Sequence, residues 1–473
     1  MRQRGRHRRR ARGRALRAAL AGTGLALTAA ATLISTSQAT IADNPGALRT
    51  PASATRLDGL RLTEQPVPRR SLDRLAAAMG RPVDAGAVLD SADRVLRDAD
   101  DCTADEKKAL PVEPAATRAY CWNAADSATP QWRPESVTTS GDAADDGLWG
   151  THRVILSGWT RHGGSGPDRD LARVAFVNAD DPDHLTYTWA LLAVPVDGGR
   201  DYRGLASRVS GMVWYRDKLL VTTSAGERDA LYVYDLRRIQ RATVAGDTVG
   251  RVPDGWSAHG YRWVLPAVAS YRPTTGSCAE TAGPDGSADP SDSTDGDDAG
   301  DFASPSESGD TAAPCPNSLS VDRSSEPGSL VASEAAPRGS GRHTRLWRYS
   351  FSTDPTRAGL LATDSAGTVT AREAYETKVD GVRGVLSRRT GPSGGTAWYL
   401  SRAAGPDSAH GTLWRQDLRG AGTTECGSSY DTHRCWGDGT GSLSYWPQTG
   451  EVWSLSGRTL FAVPLSSVER ALR

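Results

Sequence analysis

From Leu148 onward the chain alternates short apolar or β-branched runs with clusters of turn residues for more than 300 positions. That pattern predicts strands joined by turns. The stretch from Leu205 to Arg238 states the unit most clearly. Val209 to Tyr215 and Leu219 to Thr223 are two strands split at Arg216, Asp217 and Lys218. Leu231 to Tyr234 forms a third, so one meander of a sheet is expected here.

The phrase recurs. Leu231-Tyr-Val-Tyr-Asp-Leu236 is echoed at Leu346-Trp-Arg-Tyr349, Leu413-Trp-Arg-Gln-Asp-Leu418 and Leu460-Phe-Ala-Val-Pro-Leu465. Gly211-Met-Val-Trp-Tyr215 has counterparts at Gly381 to Val385 and Gly441 to Tyr445. A middle strand lies between each pair (Leu219 to Thr223, Trp398 to Ser401, Val452 to Leu455). A recurring three-strand phrase of roughly 40 to 50 residues is expected of a β-propeller with about five or six blades. The alternative is one or two β-sandwiches. The fold class expected over residues 119–473 is therefore all-β.

Before that region the period changes. Ser71 can cap SLDRLAAAMG, in which Leu72, Leu75 and Met79 share a face and Gly80-Arg81-Pro82 ends the helix. Val88, Leu89, Val95 and Leu96 suggest a second helix, so a small helical segment is expected over 66–118. Residues 40–65 are polar, contain Pro and lack periodicity; they read as a disordered lead-in. Residues 279–314 form an acidic Pro/Gly/Ser stretch that cannot bury enough apolar area to fold, a disordered insertion. Its aspartates (Asp292, Asp295, Asp297, Asp298, Asp301) lack the order of a calcium loop and its closing Glu.

Composition changes the picture at the N-terminus. Residues 1–39 hold nine Arg and no acid, followed from Ala18 to Ile34 by an uncharged run and then Ser37-Gln38-Ala39. This is the layout of an export signal, with cleavage expected after Ala39 and a retained membrane anchor as the alternative. Of 56 basic and 56 acidic residues, removing those nine arginines leaves 47 against 56, a net charge of −9. Such a surface offers no footprint for nucleic acid. A secreted, monomeric protein is expected, with an extracellular glycan or protein as partner and no cofactor.

Six cysteines fit export. Nearest-neighbour pairing is expected: Cys102 with Cys121, Cys278 with Cys315 at the base of the acidic insertion, and Cys426 with Cys435. The last couple encloses His433, but without CxxC spacing a disulfide is expected rather than a metal site.

Candidate chemistry is sparse. Gly391-Pro-Ser-Gly-Gly395 matches a nucleophile elbow by letter, yet Arg388, Arg389 and Thr390 precede it and a strand follows, so it reads as a turn. His152, His162, His184, His259, His343, His410 and His433 are dispersed, without HxH or HExxH, and His259 stands out beside Gly260. Paired carboxylates for glycoside hydrolysis are sought at Asp142, Asp145 and Asp146, and at Glu373 and Glu376. Most Trp-rich phrases read as core, with Trp256 and Trp436 the better candidates for a sugar-stacking surface.

Ala119-Tyr-Cys-Trp-Asn123, Val137 to Ala143, Arg173-Val-Ala-Phe-Val177, Gly211 to Tyr215 and Trp263-Val-Leu-Pro266 together resemble a family of exported actinobacterial proteins of unassigned function, over most of residues 119–470. The resemblance implies a propeller-like fold and no particular activity. Relatives carry a His-Ala-Gly-Gly phrase where this chain has Val209-Ser-Gly-Met212. The expected role is non-enzymatic binding or scaffolding, with a carbohydrate-active hydrolase or lyase as the alternative.

Overall fold

The computed structural model describes residues 44–51, 55–163, 169–223, 227–278, 315–334, 336, 342–389, 395–405, 410–426, 433–439 and 441–472. The chain divides into a unit of residues 1–46, of which 44–46 are described, and a unit of residues 47–473. Everything below concerns the second.

Strands dominate, and most fall into five antiparallel groups built around four strands each, beside a two-stranded hairpin (Val249–Val252 with Gly255–Ala258) and short edge strands such as Arg97–Asp98. Sheet I comprises Trp132–Thr139, Val154–Arg161, Ala172–Asn178 and Thr186–Val196. Sheet II comprises Met212–Tyr215, Lys218–Thr222, Leu231–Asp235 and the second half of Trp263–Pro273. Sheet III runs Pro316–Asp322, Ser329–Glu334, Thr344–Ser350 and Glu373–Thr377. Sheet IV runs Val382–Arg389, Thr396–Arg402, Thr412–Gln416 and Ala421–Thr423. Sheet V takes Ser444–Trp446, Glu451–Ser456 and Thr459–Pro464 from the C-terminal region and completes itself with Arg118–Cys121, which pairs Cys121 with Thr459 and Arg118 with Ala462. The all-β expectation holds.

These strands read as near-continuous apolar runs because both faces of each sheet are covered. Along Val154-Ile155-Leu156, Val154 and Leu156 pack with Met212, Trp214 and Leu219 of sheet II, whereas Ile155 packs with Trp453 and Leu460 of sheet V. Leu220 turns away from its neighbours Leu219 and Val221 to join Leu319 and Leu330 of sheet III. Trp347 faces sheet II and Leu346 faces sheet IV. Trp398 and Leu400 face sheet III, while Ala397 and Tyr399 join Phe461 and Val463 of sheet V. Period-two alternation thus sends successive side chains into different cores, and the five cores link the sheets in the cyclic order I, II, III, IV, V and back to I.

The first strands of the sheets also meet one another directly. Ser136 Oγ donates to Val209 O (2.5 Å) and Trp214 N–H to Thr138 Oγ1 (3.0 Å), joining I to II. Val385 N–H donates to Ser318 Oγ (3.0 Å), joining III to IV. Thr139 and Ser444 hydroxyls lie 3.1 Å apart, joining V to I. A side chain at Gly441 would collide with Glu135 O, so the approach of V to I requires glycine there.

One strand breaks the regularity. Trp263–Pro266 pairs in parallel with Ala190–Ala193 of sheet I, and Ala267–Tyr271 pairs antiparallel with sheet II. It therefore ties the outer edges of two neighbouring sheets together.

The N-terminal segment departs from expectation. Part of the lead-in anticipated as disordered over 40–65 is a strand, Leu62–Pro66, paired to Ala269–Pro273, with Leu60 and Leu62 buried. Pairing on both edges, to Ala269–Pro273 and to Thr368–Val369, and the burial of Leu60 and Leu62 hold it there. The helix Arg69–Met79 forms and buries Leu72, Leu75 and Met79. The second helix is shorter than its apolar spacing suggested: Asp84 caps Ala85–Leu89, after which Arg94–Val95 and Arg97–Asp98 are strands. Val95 and Leu96 follow strand pairing with Thr186 and hydrogen bonding to Leu185 rather than the helical face.

All three expected disulfides are present, with Cα separations of 5.7 Å (Cys102–Cys121), 5.6 Å (Cys278–Cys315) and 5.8 Å (Cys426–Cys435). They suit an oxidising environment. The insertion at 279–314 lies outside the described residues. Among the described residues no helix is long and apolar enough to cross a membrane.

The strand Arg118–Cys121 closes sheet V, and the Cys102–Cys121 bridge, spanning 19 residues, pins it. Replacing both cysteines by serine is expected to cost about 3 kcal/mol, as estimated for a closed loop of this length. Calorimetry should show the main transition several degrees lower, and an unchanged transition would show that the bridge does not hold the strand.

Candidate functional site

At their C-terminal ends the first strands of sheets I, III, IV and V deliver side chains to one cavity of about 440 Å³. Sheet I supplies Asp142 and Asp145 from the turn that follows Thr139. Sheet III supplies Asp322 and Arg323, sheet IV Ser387, Arg388 and Arg389, and sheet V Tyr445 and Gln448. The residues before this point are small and hydroxylated (Ser136, Thr138, Ser318, Ser320, Ser442, Ser444), because the first strands crowd one another. Larger polar groups appear once the strands end and space opens.

Asp142 is 4 % exposed. Its Oδ2 accepts from Thr138 Oγ1 (2.8 Å) and Ser444 Oγ (2.6 Å), which fixes the carboxyl against the first strands of sheets I and V. Burial pushes its pKa up to about 6, against the downward pull of the Ser444 and Thr138 hydroxyls, the Thr139 N–H and the Arg323 charge. The turn is equally constrained at Gly141, where a Cβ would strike the ring and Cα of Trp446.

Arg323 spans from sheet III to sheet I. One guanidinium nitrogen donates to Asp142 O (3.0 Å) and Gly141 O (3.5 Å), and the other pairs with Asp145, whose side chain is 90 % exposed. Gln448 Nε2 donates to Asp145 O (2.6 Å). Asp322, fully buried, is neutralised by Arg348 (2.9 Å), and the same Arg348 reaches Ser387 Oγ. Arg388 differs from these. Its guanidinium lies 4.0 Å from the centre of the Tyr445 ring, and among the described residues it has no carboxylate partner.

A second buried charge cluster sits at the opposite ends of these strands. Glu135 receives hydrogen bonds from Thr160 Oγ1 (2.9 Å), Val209 N–H (3.0 Å) and Arg208 Nε (3.2 Å), and meets His162 Nε2 at 3.0 Å. Burial alone would raise its pKa; the His162 bond and the Arg208 and His162 charges overcome that and hold it at about 2. With every oxygen engaged, Glu135 ties sheet I to the start of sheet II. A third cluster is equally full: Arg173, 4 % exposed, lies 3.6 Å from the centre of the Trp189 ring and 4.2 Å from that of Trp132, and binds Asp126 (3.3 Å) and Tyr261 Oη (2.9 Å).

Of the carboxylates sought in the sequence, Asp142 and Asp145 come together in the cavity. Asp146 caps Leu148 N–H (3.0 Å), while Glu373 and Glu376 lie on the last strand of sheet III, 3.8 Å from Arg348 and His343 respectively. The described histidines do not gather: His152 pairs with Asp180, His162 with Glu135, and His259 binds Asp247 O at a backbone φ of +53°. His410 and His433 share no metal-ligating group with them. The one His/Cys/Asp/Glu group of ligating geometry among the described residues is Cys102, Glu106 and Cys121, and its sulfurs are bonded to each other. Residues 391–394 of the GxSxG match lie outside the described residues.

Trp256 and Trp436, favoured from sequence as surface platforms, are buried. Trp256 stacks on Tyr202 (5.6 Å) and Trp436 meets Phe461 edge-on (5.5 Å). Glycine-rich neighbours marked tight packing there, not exposure. Half-buried Tyr445 is the aromatic that reaches the cavity. Sequence reasoning missed Arg323, Arg348, Arg388 and Tyr445; their shared signal is that each lies in or just after a first strand, or faces one.

No protein-family model matches the chain, and no curated protein matches it.

Asp142 gives a pH-dependent prediction with a definite sign. Its folded pKa, about 6, is above the ordinary carboxyl value of 3.8, so the folded state binds the extra proton. The stability it contributes is present below pH 4 and is lost as pH rises to about 6. Asp142→Asn, which mimics the neutral form, is expected to stabilise the protein by about 3 kcal/mol at pH 8 and to change little at pH 4. Glu135 has the opposite sign. Its folded pKa of about 2 is below the ordinary glutamate value of 4.5. Glu135→Gln is expected to cost about 3 kcal/mol at pH 7, an effect fading as pH falls toward 2. Denaturant titrations of both variants at pH 4 and pH 8 check this; equal shifts at the two pH values would contradict it.

Proposed function

We propose that the five sheets are the blades of a β-propeller and that the protein is an exported, monomeric, non-enzymatic binding module whose ligand, an extracellular glycan, seats in the cavity at the ends of the innermost strands. The observation that carries this reading is convergence: four sheets, far apart in sequence, place polar side chains around one cavity of about 440 Å³, within the range of small-molecule sites. The cyclic order of the cores and the closing strand Arg118–Cys121 support the propeller. The disulfides and the basic, then apolar, N-terminal segment support export.

The site's bonding favours binding over hydrolysis. Asp322 is spent on Arg348, and Asp142 is held by two hydroxyls away from free rotation. The same Asp142 carries its proton up to about pH 6, which is the feature that favours the hydrolase alternative. A glycan array probed with the full chain, with mass spectrometry of each well, separates the two. One class of intact glycan should be retained, and retention should be lost in Tyr445→Ala. Shortened saccharides in the wells, or retention indifferent to Tyr445→Ala, would overturn the reading.

A further inference from the structure

We infer that the cavity is selective for a saccharide bearing a carboxylate, recognised by the guanidinium of Arg388 stacked on Tyr445. This rests on the reading of the cavity as a ligand site and adds the ligand's charge.

The charges around the cavity show why. Asp322 and Arg348 cancel at 2.9 Å within the protein. Arg323 is matched by Asp145, on the exposed rim, and by two backbone carbonyls. Asp142 lies beneath, its oxygen already accepting two hydroxyl protons. Arg388, half-buried, and Arg389, exposed, then remain without a carboxylate among the described residues, whereas the half-buried Arg97, Arg345 and Arg402 are paired with Glu106, Glu334 and Asp380. The Arg388 guanidinium carbon lies 4.0 Å from the centre of the Tyr445 ring. A guanidinium that meets no acid keeps N–H donors for a planar, bidentate acceptor, and a carboxylate is that acceptor.

The remaining lining suits a sugar. Ser324, Ser387 and Gln448 offer neutral donors and acceptors, and Tyr445 offers a half-buried ring. Asp142, which also lines the cavity, offsets part of the charge of Arg388 and Arg389, so a singly charged carboxylate fits better than a doubly charged phosphate ester.

The test is calorimetric titration of the full chain with three probes: trigalacturonate, its fully methyl-esterified form, and inorganic phosphate. Trigalacturonate is expected to bind at least ten-fold more tightly than the ester. Arg388→Gln should remove that preference, and Arg388→Lys should restore it only in part, because an ammonium lacks the fork. Both variants should melt with the wild type, since Arg388 is half-buried and makes no ion pair among the described residues. Equal affinity for acid and ester, abolished by Tyr445→Ala, would overturn the charge assignment and leave the binding reading standing. Phosphate outcompeting trigalacturonate would also overturn the charge assignment. Failure of every saccharide to bind at millimolar concentration would overturn both.

Discussion

The structure depends on burial of both faces of every sheet. A four-stranded antiparallel sheet with one apolar face can leave the other in water; here neither face is available, because Leu220 and Leu219, or Trp398 and Tyr399, lead into different cores. Each large side chain taken from water is worth roughly 1.5–3 kcal/mol, and that gain exists only if a neighbouring sheet is present on each side. Five sheets solve the problem by closing on themselves. Sheet V faces both IV and I, and it extends beyond three strands only because Arg118–Cys121 returns from before sheet I to pair with Thr459–Ala462. The N-terminal segment is in this sense part of the ring, and the Cys102–Cys121 bridge holds it there.

Closure also determines where chemistry can occur. Where the first strands approach most closely the residues are small, as at Gly441 against Glu135 O and Ser136 against Val209 O. Charged groups are confined to the two ends. At one end Glu135 is consumed in joining sheets I and II. At the other, the chain leaves its strands through turns and the cavity forms, with Arg323 reaching across from sheet III to sheet I. A strong charge is tolerated at such a depth when it is paired, and Arg388 departs from that rule by lying over Tyr445 and meeting no acid among the described residues.

Much of the architecture was legible in the sequence because two-sided burial writes apolar runs and a recurring phrase. The Leu231, Leu346, Leu413 and Leu460 phrases all occupy the third strand of their sheets, and the Gly211 and Gly441 phrases lead into first strands. Sheet I carried no such phrase, and the shared strand Trp263–Pro273 follows no repeat. Residues Ala119-Tyr-Cys121 read as a prelude to the β region; that they pair with Thr459–Phe461 depends on a contact more than 330 residues away, which local pattern cannot express. The site was less legible still. Asp142 and Asp145 stood out as neighbouring acids, but Arg388 is one arginine among many until the fold sets it on Tyr445. Trp256 and Trp436 misled because a glycine beside a tryptophan marks close packing as readily as exposure.

The account's central claim is that the ends of the first strands form a ligand site, and a crystal structure of the full chain soaked with trigalacturonate tests it most directly. The account predicts one sugar ring in the cavity with its carboxylate on the Arg388 guanidinium and its neighbouring hydroxyls on Gln448 and Ser387. A saccharide seated elsewhere on the protein, with the cavity holding water alone, would contradict it.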